Sequence, residues 1–451
     1  MTERVNLEKS VKALLKMGRA EELKETLASL HPADIAEVLE KVRNGSQETL
    51  FKMLDAEKAA EVMEELDVAV QKHLMEGLSE HEISNIFKEM SVDEVTDLLQ
   101  KLPPKQVKNM LMRLPAEDLE VVKELLEMKE DTAGGIMTTD YVYIPDTARV
   151  DEAIKMVRKF GKTAETIYYL YIVNNRHELV GVMSLRELLR APRDAQISEV
   201  MHRQVIAVDV GEDQEQVAKV IEKYSLLAVP VISSEGKLLG IVTVDDAIEV
   251  LEEETTEDIH RLAGITAEED KILIGSPFHE ARKRIPWLLF CLVGDLLAGS
   301  VIKIFSPTLE AMLAVVFFIP VLMATGGNAG TQSLALAVRG LATREINSKN
   351  FWRYMFQEAV AGLFVGLICG GIIAAVAFLW QKNTVLGLVV GSSMSIALTI
   401  AAFIGMAIPM LFNYFSVDPA VASGPFITTL VDVNTLIIYF AMVTLLLKGV
   451  L

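Results

Sequence analysis

Acidic side chains inside apolar stretches are the residues of this sequence most able to do chemistry. Asp432 lies well inside the apolar stretch at residues 425–447, beside two threonines and an asparagine and with no basic residue in that stretch. A carboxylate in the hydrocarbon of a membrane is costly unless it faces protein, water or an ion. Asp432 therefore indicates an ion path, with a hydrogen-bonded carboxylate between packed helices as the alternative. For Asp295 and Glu358, in or near two other apolar stretches, a packing role and a coupling-ion role both stay open.

A glycine-rich segment lies in the apolar stretch at residues 311–338, which contains GGNAGTQS from Gly326. Glycine is a poor helix former, so this segment predicts a broken helix around Asn328. Irregular backbone at membrane depth is tolerated where it is buried in protein or lines a watery cavity. Three prolines are expected to interrupt or delimit the two last stretches: Pro409, Pro419 and Pro425. Breaks next to an intramembrane carboxylate favour an ion path.

A second acidic feature is the segment LEEETTEDIHRL, which begins at Leu251 and places five carboxylates before Arg261. Unpaired carboxylates repel one another. Hard cations are held by oxygen ligands. The segment therefore fits either a set of cation ligands or a solvated spacer helix.

The elements that hold these residues belong to two different halves. Of the 43 basic and 62 acidic residues, only 7 and 6 lie in residues 285–451, so the first half has a net charge of -20 and the second half +1. This distribution excludes a disordered chain and a nucleic-acid binder that relies on overall basicity. The two cysteines, Cys291 and Cys369, lie in apolar stretches, so no disulfide framework is expected.

Five apolar stretches are long enough to cross about 30 Å of hydrocarbon. They lie at residues 286–305, 311–338, 357–380, 384–415 and 425–447. Basic residues cluster before the first stretch and between the second and third: Arg282, Lys283, Arg284, Arg339, Arg344, Lys349 and Arg353. Because basic loops stay in the cytoplasm, the sequence predicts a cytoplasmic N-terminal half and an external C-terminus.

The first 130 residues contain a repeat of twelve. Apolar residues recur at this spacing from Leu30 to Leu126, and a second apolar series follows eight residues later from Val38 to Val122. Cap-type residues such as Asp55 often follow the first series. We therefore predict short helices separated by turns, packed as an all-α superhelix.

A duplicated β-α-β-β-α pattern follows from Met137, with the second copy starting at Met201. The two copies resemble a tandem pair of cystathionine-β-synthase-type (CBS) domains over about residues 137–253. Such pairs are regulatory sensors, and many bind adenine nucleotides through a Gly-x-x-Ser/Thr-x-x-Asp motif. The resemblance implies a site for a nucleotide such as ATP at Ser184, Arg186, Thr243 and Asp246. Glu187 replaces the aspartate in the first copy, and a structural role in the strand-to-helix turn stays open for all of these residues.

The ordered combination of an acidic helical region, a CBS pair, five apolar stretches, GGNAGTQS and Asp432 resembles the MgtE family of magnesium channels. The resemblance implies a homodimer in a bacterial or archaeal cell membrane, with a pore between the subunits. The two copies of Asp432 would hold a hydrated Mg²⁺, and Asn328 would line the same path. This chemistry suits Mg²⁺, which dehydrates reluctantly and binds one or two carboxylates. The implied partners are Mg²⁺, a second copy and the lipid bilayer, with no nucleic acid.

The resemblance also implies regulatory Mg²⁺ sites. The matching residues are Asp93, Asp97, Asp246, Glu249, Glu254, Glu257, Asp258 and Asp418. Asp93 and Asp97 lie one helical turn apart on one face. Glu61 is a further candidate outside this set. Mg²⁺ bound at these acidic interfaces would compact the cytosolic part and hold a connector, or plug, helix that closes the pore.

We therefore predict a multidomain chain with four parts. An all-α superhelical N domain covers residues 1–130, an α/β tandem CBS pair 131–252, an acidic connector helix 253–284, and an all-α membrane domain of five helices 285–451.

An enzyme is not expected, because no P-loop is present and neither His81-Glu82 nor His279-Glu280 continues as HExxH. The alternative function is a secondary transporter of divalent cations coupled to Na⁺ or H⁺, with Asp295 and Glu358 as coupling sites.

Overall fold

The computed structural model describes most of the chain. The described residues are 11, 13–15, 17, 19–42, 44–102, 104–115, 118–162, 164–265, 277–343, 345–347, 349–415 and 417–447. The predicted connector residues 266–276 and the basic residue Arg344 lie outside this set. The chain divides into two compact units, Met1–Glu253 and Glu254–Leu451.

The N-terminal region is a series of short helices, as the repeat of twelve predicts. Among the described residues they are α1 (Ala20–Ser29), α2 (Pro32–Glu40), α3 (Asn44–Phe51), α4 (Ala56–Glu64), α5 (Val68–Gly77), α6 (Glu80–Phe87), α7 (Val92–Gln100), α8 (Pro104–Leu111) and α9 (Asp118–Leu125). The second apolar series, from Val38 to Val122, is buried in one continuous core. Asp55 caps α4 by accepting the Lys58 N–H, and Ser79 forms a capping box with Glu82.

Two three-stranded sheets follow, one for each copy of the duplicated pattern. The first copy contains β1 (Tyr141–Pro145), α10 (Val150–Phe160), β2 (Thr166–Val173), β3 (Leu179–Ser184) and α11 (Leu185–Arg190). After α12 (Ile197–Val200), the second contains β4 (Val208–Asp209), α13 (Gln214–Tyr224), β5 (Ala228–Ile232), β6 (Leu238–Thr243) and α14 (Val244–Leu262). In both sheets the first pair of strands is parallel and the second antiparallel. The duplication is thus confirmed at the level of topology.

The acidic helix α14 differs from the predicted connector in its limits. It begins at Val244, directly after β6, and continues without a break through the acidic run to Leu262. Gly264 then has a φ of 70°, a left-handed conformation that favours glycine and that ends helices. The helix is therefore an extension of the second CBS copy, because nothing in the sequence between residues 244 and 262 breaks helical hydrogen bonding.

Within its described residues, the second unit contains five helices long and apolar enough to cross a membrane, as predicted. We name them span 1 (Ala281–Ile304), span 2 (Leu313–Ala342), span 3 (Phe351–Gln381), span 4 (Thr384–Tyr414) and span 5 (Gly424–Leu446). Span 1 lies in helix α15 (Pro277–Ile304), which the short helix α16 (Ser306–Ala311) follows. Span 2 begins with a 3₁₀ turn at Leu313–Phe318 and continues as α17 (Ile319–Ala342).

Spans 3 and 4 are α18 (Phe351–Gln381) and α19 (Thr384–Tyr414), and span 5 belongs to α20 (Gly424–Leu447). The core of this unit includes Val390 and Leu398 of span 4 and Tyr439 of span 5.

The prediction that span 2 is broken at GGNAGTQS is wrong. Helix α17 runs through Asn328 without interruption. A methyl group on Gly330 would lie 3.0 Å from Ile427 Cγ2, and one on Gly327 would lie 2.6 Å from Thr428 Cγ2. The glycines therefore allow span 5 to pack closely, an arrangement typical of membrane helices. Because hydrocarbon offers no competing hydrogen-bond partners, the low helix propensity of glycine in water does not decide the conformation here.

The prolines give a mixed outcome. Pro409 does not interrupt span 4, because α19 continues to Tyr414. Membrane helices tolerate such prolines where neighbouring groups satisfy the freed carbonyl. Pro419 begins a 3₁₀ turn and Pro425 is the second residue of α20, so both delimit elements as predicted.

Candidate functional site

Carboxylates from four parts of the first unit face one another, and we call this group the acidic cluster. It comprises Glu64 at the end of α4, Asp93, Glu94 and Asp97 on α7, Asp140 and Glu165 beside β1 and β2, and Asp246 and Glu249 on α14. Each of these carboxylates takes part in electrostatic repulsion with at least one other member of the cluster. The cluster therefore joins the helical region to the CBS pair.

Thr138 connects Asp93 of the helical region to the second CBS copy. Its hydroxyl donates to Asp93 Oδ1 at 3.0 Å. Its backbone pairs with Ile241 of β6 through both the N–H and the carbonyl. A methyl group on Gly240 would lie 2.7 Å from the Thr138 carbonyl oxygen, so this close approach requires glycine. Asp93 is thus tied to the strand that leads into α14 and Asp246.

Burial and mutual repulsion raise the pKa of several carboxyl groups. Burial and then the charge of Glu64 raise the pKa of Glu94 to about 9. Burial and then the charge of Asp93 raise the pKa of Glu64 to about 7. Burial raises the pKa of Asp97 to about 7, although Lys101 opposes this effect. The arrangement therefore favours bound protons or cations at neutral pH.

Burial acts in the same direction on three further members of the cluster. Burial raises the pKa of Asp93 and of Asp246, and it raises the pKa of Asp140 to about 6. Among the residues that the structure describes, no three His, Cys, Asp or Glu side chains converge closely enough to form a ready metal site. The cluster nevertheless brings together several carboxylates, whose oxygens are the donor type that Mg²⁺ prefers. A bound cation would reduce the repulsion between them.

Four predicted regulatory residues belong to the cluster: Asp93, Asp97, Asp246 and Glu249. Sequence reasoning missed Glu64, Glu94, Asp140 and Glu165. Glu64 lies one helical turn after Glu61, the further candidate outside the predicted set, and Glu61 is exposed and bonds Lys58 at 3.1 Å. Val62 and Leu98 belong to the second apolar series and are buried, so their positions in the repeat could have indicated which acidic residues flank the buried face.

The other predicted regulatory residues belong to the second unit. Arg261, on α14, bonds both Glu257 and Asp418. Asp418 also accepts the Ala420 N–H at 2.8 Å and caps the turn before span 5. Glu254 and Asp258 lie on the same helix. A cation, here a guanidinium, therefore already bridges two of the carboxylates for which Mg²⁺ binding is predicted.

The candidate nucleotide residues occupy equivalent turns in the two CBS copies. Ser184 donates its N–H and hydroxyl to Glu187, and Thr243 donates the same groups to Asp246. His202 also contacts Glu187 at 2.8 Å, and this bond is the main cause that lowers the pKa of Glu187 to about 2. Arg186 is exposed. Ser184 and Glu187 thus form a capping box, and Thr243 and Asp246 make the corresponding N–H and hydroxyl bonds, as the structural alternative expects, while Arg186 stays exposed.

The predicted pore residues lie on spans 2 and 5. Asp432 is half-buried, and its Oδ1 is buried with no hydrogen-bond partner among the described residues. A Cβ on Gly327 would lie 4.0 Å from this oxygen. The nearby hydroxyls of Thr428 and Thr429 are occupied by carbonyls of their own helix. Asp432 therefore presents an unsatisfied oxygen beside the glycine-packed face of span 2.

The three other candidate residues of the spans, Asn328, Asp295 and Glu358, differ in their surroundings. Asn328 follows Gly327 and is exposed on the single chain. Asp295 of span 1 is also exposed and is close enough to Asp432 to repel it. Glu358 of span 3 instead accepts a hydrogen bond from Ser333 of span 2 at 2.7 Å. Asp295 and Glu358 therefore have different environments.

Comparison with known proteins agrees with this architecture. Residues 30–131 match the family described as "MgtE intracellular N domain", residues 133–194 and 197–253 match the CBS domain, and residues 319–442 match "Divalent cation transporter". "Magnesium transporter MgtE" of Thermus thermophilus is 35% identical over 444 residues, which cover 98% of each chain. The chain belongs to the MgtE family of magnesium transporters.

Other relatives extend this result. The MgtE magnesium transporter of Enterococcus faecalis is 42% identical over 74% of this chain and 73% of its own. The solved cytosolic domain of the Mg²⁺ channel MgtE in complex with ATP is 32% identical, with a TM-score of 0.52, over 54% of this chain and 99% of that domain. Members of the family are transporters rather than enzymes, and the fold predicted from the sequence is confirmed.

Proposed function

We propose that this protein is a Mg²⁺-selective channel that imports Mg²⁺ and that cytosolic Mg²⁺ closes. The observation that carries this proposal is the acidic cluster, in which burial raises the pKa values of Glu64, Glu94 and Asp97 and neighbouring carboxylates raise them further. Divalent cations neutralise such a group more effectively than monovalent ions, because one ion offsets two charges. When Mg²⁺ is scarce, repulsion spreads the cytosolic part and favours opening.

The pore is assigned to Asp432 and Asn328 of a homodimer, with the C-terminus external. Two copies of Asp432 neutralise one divalent ion, and selectivity comes from spacing and retained water. The unsatisfied Oδ1 of Asp432 supports this role, since a structural carboxylate in a membrane would be hydrogen-bonded. The tight packing of span 2 on span 5 brings Gly327 to this carboxylate and so brings the neighbouring Asn328 backbone to the same path.

We also propose that an adenine nucleotide binds the CBS pair at Ser184, Arg186, Thr243 and Asp246. The relative whose cytosolic domain was solved with ATP supports this site. The exposed Arg186 is available to a phosphate group. Because Asp246 also belongs to the acidic cluster, nucleotide binding and Mg²⁺ binding would influence each other.

The transport proposal is tested with the purified full-length protein in liposomes that contain a Mg²⁺ indicator. Ionophores collapse the Na⁺ and H⁺ gradients, and Asp432→Asn is compared with Glu310→Gln, an exposed carboxylate outside the spans. We expect wild type and Glu310→Gln to pass Mg²⁺, and Asp432→Asn to lose at least about 90% of the flux, a barrier change of roughly 1.4 kcal/mol.

Two outcomes contradict this proposal. Flux that disappears when both gradients are collapsed would favour the coupled transporter. Wild-type flux in Asp432→Asn would remove Asp432 from the ion path.

A further inference from the structure

A hydrogen bond between two membrane helices connects Glu358 to the glycine-rich segment. The hydroxyl of Ser333 donates to Glu358 Oε1 at 2.7 Å. Ser333 is 2% exposed, and Glu358 is half-buried. A carboxyl group in an apolar span is costly unless its oxygens are hydrogen-bonded, so the Ser333 hydroxyl stabilises Glu358 in this position.

Ser333 lies in a turn of span 2 that contacts three neighbouring helices. On the side of span 5, a methyl group on Gly330 would lie 3.0 Å from Ile427 Cγ2 and 3.1 Å from Val431 Cγ2. On the side of span 4, a methyl group on Gly405 would lie 2.2 Å from the Gly330 carbonyl oxygen and 2.9 Å from Ser333 Cβ. Glu358 supplies the contact from span 3.

These contacts fix the rotation of span 2 about its own axis. The backbone packing on spans 4 and 5 involves glycine and aliphatic groups, which permit small rotations because apolar contacts have little directional preference. The Ser333 hydroxyl adds direction, because hydrogen-bond strength falls steeply as the geometry departs from linear. Asn328 lies five residues before Ser333 on the same continuous helix. Rotation at Ser333 therefore changes where Asn328 points.

We propose that Glu358 is a positioning residue that acts through Ser333 to hold the GGNAGTQS segment at the orientation required for selective Mg²⁺ passage. This proposal rests on the proposed pore role of Asp432 and Asn328. Glu358 serves as a hydrogen-bond acceptor, so its charge is not required. It differs in this respect from a coupling-ion site, which must gain and lose a cation or proton.

The chain offers a matched control for the loss of this bond. Ser395 of span 4 donates to the Gly366 carbonyl of span 3 at 2.8 Å and also contacts its own helix at Gly391 O. Ser333 likewise contacts its own helix at Ala329 O, 3.1 Å away. Ser333→Ala and Ser395→Ala each remove a serine hydroxyl that bonds to span 3, from span 2 to a carboxylate in the first case and from span 4 to a backbone carbonyl in the second.

The experiment measures Mg²⁺ and Co²⁺ flux into liposomes that hold full-length Glu358→Ala, Glu358→Gln, Ser333→Ala, Ser395→Ala or the double variant Glu358→Ala/Ser333→Ala. We expect Glu358→Ala and Ser333→Ala each to lower Mg²⁺ flux about tenfold and to lower the Mg²⁺ to Co²⁺ flux ratio at least about threefold. Glu358→Gln, which keeps an acceptor oxygen, should stay within about twofold of wild type, as should Ser395→Ala. The double variant should resemble Glu358→Ala, because both changes break one bond.

Three results would overturn the positioning role: Glu358→Gln as impaired as Glu358→Ala, additive effects in the double variant, or equal changes in the flux ratio for Ser333→Ala and Ser395→Ala. If Glu358→Ala does not fold, Glu358→Gln and the two serine variants still decide. Asp432→Asn in the same series separates this question from the pore proposal, since retained flux in that variant would contradict the pore without changing the comparison at Glu358.

Discussion

Glycine residues decide how closely the membrane helices approach, and Gly405 is the most constrained of those at the contact of spans 2 and 4. A Cβ at Gly405 would lie 2.2 Å from a backbone oxygen, which cannot move aside as a flexible side chain can. By contrast, Gly371 on span 3 has no atom within 4 Å of a built Cβ. The two positions therefore separate close packing from the general effect of adding a methyl group to a membrane helix.

We expect Gly405→Ala to destabilise the membrane half by about 1–3 kcal/mol, the usual cost of overpacking. Gly371→Ala should be nearly neutral, because the added methyl group meets no other atom within 4 Å. Thermal unfolding in detergent, followed by tryptophan fluorescence, checks this, since the three tryptophans, Trp287, Trp352 and Trp380, all lie in this half. Equal midpoints for the two variants would contradict the packing account.

The acidic cluster predicts a pH dependence whose sign follows from the raised pKa values. The pKa is about 7 for Glu64 and about 9 for Glu94, against 4.5 for an unperturbed glutamate. The folded protein therefore binds protons that the unfolded chain releases, so stability in Mg²⁺-free buffer falls as pH rises through this interval. Because Mg²⁺ competes with protons for the same oxygens, its apparent affinity should rise over the same interval.

The measurement is the thermal midpoint of the cytosolic part at pH 6 and pH 9 with a chelator present. We expect the midpoint to fall by at least about 3 °C between these values and Mg²⁺ to reverse the fall. Glu94→Gln should reduce the pH dependence, whereas Glu89→Gln, an exposed neighbour, should leave it unchanged. A midpoint that rises with pH in Mg²⁺-free buffer would show that the carboxylates are not repelling one another.

At the scale of elements, helix α14 carries the acidic run, and Arg261 supplies its positive charge near the membrane half. Arg261 bonds Glu257 and Asp418, with about one third of each side chain exposed. Loss of the guanidinium leaves two carboxylates that repel each other. The C-terminal end of α14 should then unfold locally more often, unless Mg²⁺ replaces the guanidinium between the two carboxylates.

Hydrogen exchange of the full-length protein tests this role of Arg261. In Mg²⁺-free buffer, Arg261→Gln should exchange several-fold faster over residues 257–262 than wild type, and Mg²⁺ should restore more protection in the variant. Lys237→Gln is the control, because Lys237 pairs with Glu235 at 2.7 Å on the exposed surface and such pairs contribute little. Unchanged exchange in Arg261→Gln would contradict the bridging role.

The sequence predicted elements well where a periodic pattern determines burial. The residues spaced twelve apart from Val38 are buried, since each helix must cover one apolar face. The break at Gly326 was predicted wrongly because helix propensity measured in water was applied to a helix packed against Ile427 and its neighbours. Glu64 and Glu94 were missed because their burial depends on contacts between distant segments, which a linear pattern does not contain.

At the scale of the whole molecule, nearly all of the negative charge lies in the residues before the membrane half. A net charge of this size favours an expanded arrangement unless cations neutralise it. Mg²⁺ that binds a compact arrangement more tightly than an expanded one shifts the population toward the compact arrangement. Transport would then fall as the internal Mg²⁺ concentration rises, which is negative feedback on import.

The most direct test of this account is Mg²⁺ flux through the full-length protein while Mg²⁺ is titrated on the side of the cytosolic half. Wild type is compared with two triple variants that have the same change in charge. The connector variant is Glu254→Gln/Glu257→Gln/Asp258→Asn. The control variant replaces Glu21, Glu25 and Glu57, which are exposed carboxylates outside the cluster. We expect cytosolic-side Mg²⁺ to suppress wild-type and control flux, and we expect the connector variant to need at least about tenfold more Mg²⁺ for the same suppression, or roughly 1.4 kcal/mol of lost coupling. Flux that is insensitive to Mg²⁺ on this side in wild type, or an unchanged threshold in the connector variant, would contradict this account.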